Sequence, residues 1–265
     1  MDALTLLANG AALVMGIALG LLGGGGSILT VPILVYLLGI PPTQATGWSL
    51  LVVGLTAAVG ALGPLRAGLV PLRTAALFAG PSIGAIFLTR RLLLPSLPDP
   101  LMTVGGWAVS KDLALMLLFA VVMVLAAWRM IRPSLLPANA PPSSPDALRL
   151  GLQGAVTGLV AGLVGAGGGF LIVPALVLLA GLPMKTAVGT SLLIIALQSL
   201  IGFLGDLGTG AAVNWDLLLP LVAFALAGVL IGSRLSREVS AAGLKVAFGW
   251  FVLVMGGLIV LAETL

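Results

Sequence analysis

The sequence predicts an all-α polytopic membrane protein made of two inverted-topology repeats. Each repeat has about five helical elements, including a glycine-interrupted pair of half-helices. Three observations predict this. The chain is 60% hydrophobic and only 8% charged, whereas charged residues make up about a quarter of a soluble domain. No charge occurs from Ala3 to Leu65, although one spanning helix needs only ~20 apolar residues. Two stretches are also written almost alike: Gly23-Gly24-Gly25-Gly26-Ser27-Ile28-Leu29-Thr30-Val31-Pro32 and Gly165-Ala166-Gly167-Gly168-Gly169-Phe170-Leu171-Ile172-Val173-Pro174.

Hydrocarbon cannot satisfy exposed backbone, so segments this apolar are expected to be helices. They are apolar on every face rather than alternating, which argues against a β-barrel. Proline, glycine and charge bound helices near 4–22, 28–39, 45–63, 70–90 and 108–131 in the first half. The second half gives 150–164, 170–181, 187–205, 214–233 and 243–262. Pro32 and Pro174 fall in first turns, where a missing N–H costs little. The Gly-x-Pro sequences at Gly39-Ile40-Pro41 and Gly181-Leu182-Pro183 stop the short helices, and Thr43 and Thr186 are expected to cap the next ones. Residues 95–106, with Pro95, Pro98, Asp99 and Pro100, read as an external loop. The domain boundaries follow as repeat 1 at 1–132, a proline-rich cytoplasmic linker at 133–149, and repeat 2 at 150–265.

The halves align at a constant offset of 142 residues, the difference between Pro32 and Pro174. The same offset pairs Gly16 with Gly158, Gly20 with Gly162, Gly47 with Gly189 and Ser49 with Ser191. Charge then sets the orientation. If each broken pair enters and leaves on one face, Arg66, Arg73, Arg129, Arg132, Arg149, Lys185, Arg234, Arg237 and Lys245 share a side. Only Arg90, Arg91 and Lys111 fall on the other. Positive residues favour the cytoplasmic face, so this arrangement is preferred over a continuous crossing. Five direction changes per half make the second half inverted, with both termini extracytoplasmic in a cell (inner) membrane protein. Asp2 and the missing basic n-region argue against a cleaved signal peptide.

Paired helix breaks in inverted halves point to a transport site at the midplane. Each break ends in a helix start, with free N–H groups and the positive end of a helix dipole, which suits an anion. The candidate substrate-binding residues are Gly23, Gly24, Gly25, Gly26, Ser27, Thr30 and Ser49 in the first half. In the second they are Gly165, Gly167, Gly168, Gly169, Ser191 and Gln198. For Ser49 and Ser191, bonding to their own backbone competes with substrate contact. For Gln198, helix–helix bonding competes. Asp206, at the end of its helix, is the best candidate for an ionisable group inside the membrane, but a solvated loop residue is the preferred reading, and no basic residue is expected to be buried near the glycine runs.

Composition also excludes functions. Cysteine and histidine are absent, which removes thiolate and imidazole metal ligands and a histidine base. No catalytic or metal site, cofactor or enzymatic activity is therefore expected. The net charge of +4 comes from membrane-flanking residues, so no nucleic-acid partner is implied. The partners expected are a small anion and membrane lipid, and a homodimer is compatible with the sequence. A metal-cation or other small-anion transporter and a non-transport assembly protein are the alternative functions.

The order of motifs (glycine run, Val-Pro, Gly-x-Pro, then Ala-x-Gly-x-Ser), repeated in both halves, resembles the TauE/SafE family of membrane permeases. The likeness spans essentially the whole chain. It implies transport of sulfite or a small organosulfonate, with Gly23 to Ser27, Gly165 to Gly169, Ser49 and Ser191 as the positions at stake. Ser27 matches Gly169 and Thr30 matches Ile172, so such a site is not chemically symmetric.

Overall fold

The computed structural model describes residues 3–104, 107–131, 147–165, 168–178, 180–207, 213–236, 249–250, 253–254 and 256–261. Helix α1 is Ala3–Leu22 and the short α2 is Gly24–Leu37. Helix α3 is Pro42–Arg66 and α4 is Leu72–Ser96. A hairpin follows, with β1 at Met102–Val104 antiparallel to β2 at Trp107–Val109. Then come α5 at Lys111–Ile131, α6 at Ala147–Val164, α7 at Gly169–Leu178, α8 at Met184–Leu207 and α9 at Trp215–Leu235. Residues 256–261 form α10. Six of these helices, α1, α3, α4, α6, α8 and α9, are long and apolar enough to cross a membrane.

The sequence places the helices well, but some boundaries differ. Helix α4 does not stop at Arg90; it runs through a wide π-type turn at Thr89–Leu93 and on to Ser96. The expected loop at 95–106 and the expected start of α5 at 108 give way to the hairpin, and α5 begins at Lys111. Half of the expected helix 243–262 and residues 132–146, with most of the linker, lie outside the described residues.

Helix α6 shows how a lipid medium is written into sequence. Its Leu148, Leu152, Val156 and Leu159 are exposed, while Gly154, Thr157, Gly158 and Ala161 are buried. Large side chains face outward and small ones face the bundle, the reverse of a soluble helix. Between helices in lipid no hydrophobic gain is available, so close van der Waals packing supplies the adhesion. A methyl group on Gly154 would run into the carbonyl of Phe78, and one on Gly158 into that of Ser82, both on α4. Helices α1 and α9 dovetail in the same way: Gly16 abuts Ala225, Gly20 abuts Val229, Gly228 abuts Leu13 and Gly232 abuts Ile17.

The contacts between the halves are reciprocal. The first helix of each half packs on the fourth of the other, α1 on α9 and α6 on α4, and the equivalent helices α3 and α8 pack on each other. Two large apolar cores and a smaller one, of Leu50, Ile86, Ala161 and Phe203, lie between these helices. One large core gathers Met15, Ile28, Trp48, Phe119 and Leu221. The other gathers Phe78, Leu150, Ile172 and Ile194.

Candidate functional site

The two glycine runs meet. A Cβ on Gly24 would coincide with the backbone of Gly169, and a Cβ on Gly169 would strike Gly24 and come within 2.6 Å of Ile195 Cδ1. No residue with a side chain fits at either position. The preceding glycines, Gly23 with φ 70° and Gly165 with φ 78°, are left-handed and end α1 and α6. Each rests on the third helix of the opposite half, Gly23 on α8 and Gly165 on α3. A Cβ on Gly23 would lie 2.8 Å from Ser191 Oγ, and Gly165 abuts Thr46. Ser49, the equivalent of Ser191, donates to the carbonyl of Gly165.

The chain resumes its helix at Gly24 in the first half, as a tight 3₁₀ stretch Gly24–Leu29, and at Gly169 in the second. In the first half this is earlier than the start near residue 28 read from sequence. Gly23, Gly24, Gly25, Gly26, Ser27 and Thr30 are all buried, as are Gly165, Gly168, Gly169, Ser49, Ser191 and Gln198. Gly167 lies outside the described residues.

The hydroxyls are largely engaged. Ser27 Oγ donates to Gly24 O at 2.7 Å and Ser191 Oγ to Val188 O at 2.8 Å, while the one proton of Ser49 Oγ is shared between Gly165 O and Thr46 O, the latter 2.7 Å away. Such bonds to the preceding turn are what serine does when no water is at hand. Ser82 Oγ donates to Gln198 Oε1, joining α4 to α8. Thr30 Oγ1 is buried without a hydrogen-bond partner.

A second constellation lies next to the crossing, at the end of the bundle where α3 and α5 begin and α4 and α8 end. Arg90 is fully buried, and its Nη1 lies 3.2 Å from Oδ2 of Asp206. The ion pair is close but poorly aligned, since Nε, Nη1 and Nη2 of Arg90 have no hydrogen-bond partner. Gly47 lets the carboxylate in, because a Cβ there would meet Asp206 Oδ2. Both residues had been read from sequence as charges at helix ends; both are inside.

The pair borders a cavity of about 290 Å³, also lined by Thr43, Gln44, Trp48 and Lys111. Asp112 braces its rim, accepting from Thr43 N at 2.9 Å and from Thr43 Oγ1. This satisfies an orphan N–H of α3 with a carboxylate from another helix. Thr43 therefore sits inside α3 rather than capping it. Lys111 Nζ donates to the carbonyl of Leu94. Among the described residues, no group of three His, Cys, Asp or Glu gathers as a metal cluster.

The first two turns of α3 link the constellations, since Thr46 and Ser49 face the second glycine run while Thr43, Gly47 and Trp48 line the cavity. One signal could have found the buried pair from sequence. At the repeat offset Arg90 corresponds to Gly232 and Asp206 to Pro64, so two charges break an otherwise apolar correspondence.

A family model described as "Sulfite exporter TauE/SafE" matches residues 8–259. A probable membrane transporter protein of Xylella fastidiosa (strain Temecula1) is 32% identical over 243 residues, 86% of this chain and 83% of its own length. Probable membrane transporter protein YunE of Bacillus subtilis (strain 168) is 32% identical over 240 residues, 85% of this chain and 86% of its own. No solved structure matches. A family match across nearly the whole chain, relatives named as transporters and six apolar helices lead to one conclusion: the chain belongs to the TauE/SafE family and is a multi-pass membrane transporter.

Proposed function

We propose that the protein moves a small anion, sulfite or a small organosulfonate, across the cell (inner) membrane, and that it is not an enzyme. The halves are inverted in the membrane, both termini are extracytoplasmic, and the linker around 133–149 is cytoplasmic. The observation that carries this reading is the contact of Gly24 with Gly169. Two helix starts, one from the glycine run of each half, converge on one point. Each brings a first turn whose N–H groups lack intrahelical acceptors and the positive end of a dipole. A fixed array of such donors favours an anion and holds it without a full positive charge. The family description, with its reference to sulfite, supports the same substrate class.

The test is flux. Purified protein in liposomes loaded with sulfite should release it faster than empty liposomes, with saturation at rising concentration. Release at the empty-liposome rate by folded, inserted protein would refute the anion reading. A reporter fused into the 133–149 linker should be cytoplasmic; an extracytoplasmic signal would overturn the orientation.

A further inference from the structure

We propose that the cavity between Thr43, Gln44, Arg90 and Lys111 is an anion-binding site whose principal donor is the guanidinium of Arg90. The proposal rests on the anion-transport reading and gives the anion an address.

Four observations carry it. First, Arg90 is always charged and sits wholly buried in an apolar helix, yet its three nitrogens make no hydrogen bond. Native proteins satisfy such groups, and an ionisable residue at this depth marks a functional position. A planar fork of donors fits an oxyanion. It lies in the π-type turn Thr89–Leu93, and such bulges recur at functional sites.

Second, the free donors on this wall belong to Arg90. Arg90 and Lys111 border the cavity with Asp206, and the carboxylates of Asp112 and Asp99 balance charge on the rim, where they accept from Thr43 and from the backbone N–H of Lys111. What the cavity offers an oxyanion is the unbonded guanidinium, not a net charge.

Third, there is room and a way in. The cavity of about 290 Å³ is far above the ~10–15 Å³ that one water needs on the same measure. It shares Gln44, Trp48 and Val213 with a wider, more open cavity at Gly39, Pro41, Asn214 and Asp216. On the proposed topology this vestibule opens away from the cytoplasm.

Fourth, the duplicated fold supplies its own control. Gly189, the counterpart of Gly47, abuts Pro64 where Gly47 abuts Asp206. The counterpart of Arg90 is Gly232. The two positions that match the ion pair are thus uncharged, Gly232 and Pro64, and Gly189 packs directly on Pro64. The site belongs to one half only.

The experiment measures thermal stabilisation of the detergent-purified protein by sulfite and sulfate, with chloride as a halide control. A ligand that binds only the folded state raises stability with its affinity. Arg90→Gln alone strands a buried carboxylate, so the decisive variant is Arg90→Gln with Asp206→Asn, which removes both charges. It should remain monodisperse, and its apparent Kd for the oxyanion should rise about tenfold or more, as expected for losing a charge-assisted bond. Asp206→Asn alone keeps the guanidinium and frees it from its carboxylate. It should be stabilised more by sulfite than the unaltered protein.

Unchanged sulfite binding in the double variant would overturn the site. If liposomes of that variant still release sulfite, the anion-transport reading survives and only the address is wrong. No stabilisation and no flux with the unaltered protein would remove both. A shift produced by phosphatidylglycerol and by no free oxyanion would assign the guanidinium to a lipid headgroup and likewise overturn the site.

Discussion

Gly23 rests on Ser191, and 142 residues later Gly165 is held by Ser49, so each half closes its broken helix against the opposite half. The seam between the repeats is therefore made of backbone, and the space for side chains there is zero. This gives sharply position-dependent outcomes for glycine substitutions.

At Gly24 or Gly169, alanine should cost about 1–3 kcal/mol or more, the range for overpacking, and should abolish transport. The same change at Gly10, where nothing lies within 4 Å, should be neutral or gain up to ~1 kcal/mol of helix propensity. Thermal unfolding in detergent separates them. Equal melting temperatures for the Gly24 and Gly10 variants would show that the crossing is looser than described.

Ser49→Ala removes the donor to the Gly165 carbonyl. A loss of about 0.5–1.5 kcal/mol is expected for one such bond. Ser191→Ala removes a hydroxyl whose bond is local, to Val188, and should cost less. A larger effect at Ser191 would mean that its hydroxyl serves something beyond its own helix, and substrate affinity should then be measured for it first.

The buried ion pair makes a thermodynamic cycle. Removing Arg90 alone should destabilise by about 3–5 kcal/mol, because the largely buried carboxylate of Asp206 loses its counter-charge. Adding Asp206→Asn should recover most of that. Equal stability of the single and double variants, read from melting curves, would show that Asp206 is solvated after all.

Gln198 is wholly buried and receives the hydroxyl of Ser82. Gln198→Met leaves that hydroxyl without its acceptor and should cost about 1–3 kcal/mol, while KM for transport stays unchanged. A raised KM at unchanged stability would transfer Gln198 from helix adhesion to substrate contact.

The helices and the glycine crossing were legible in the sequence for a physical reason: in lipid, length and apolarity alone define a span, and a duplicated break stands out against uniform hydrophobicity. The Arg90–Asp206 pair was not, since the usual rule places charges at span ends and each partner lies 116 positions from the other. Only the missing counterparts, Gly232 and Pro64, carried a trace of it. The hairpin was missed although Gly105-Gly106 lies between β-prone residues, a recognised turn signal. Where α2 starts was misjudged because glycines were taken to interrupt the helix, whereas Gly24 to Gly26 belong to its first, tightly wound turns.

The reciprocal packing also bears on biosynthesis. Helix α1 presents Gly16 and Gly20 to α9, a partner that lies about 190 residues downstream. At ~5–20 residues per second, α1 waits roughly 10–40 s in the bilayer with its small-residue face unclaimed. A chain interrupted after the first half would never fill that face, and it would present cellular quality control with helices that have inserted but cannot assemble.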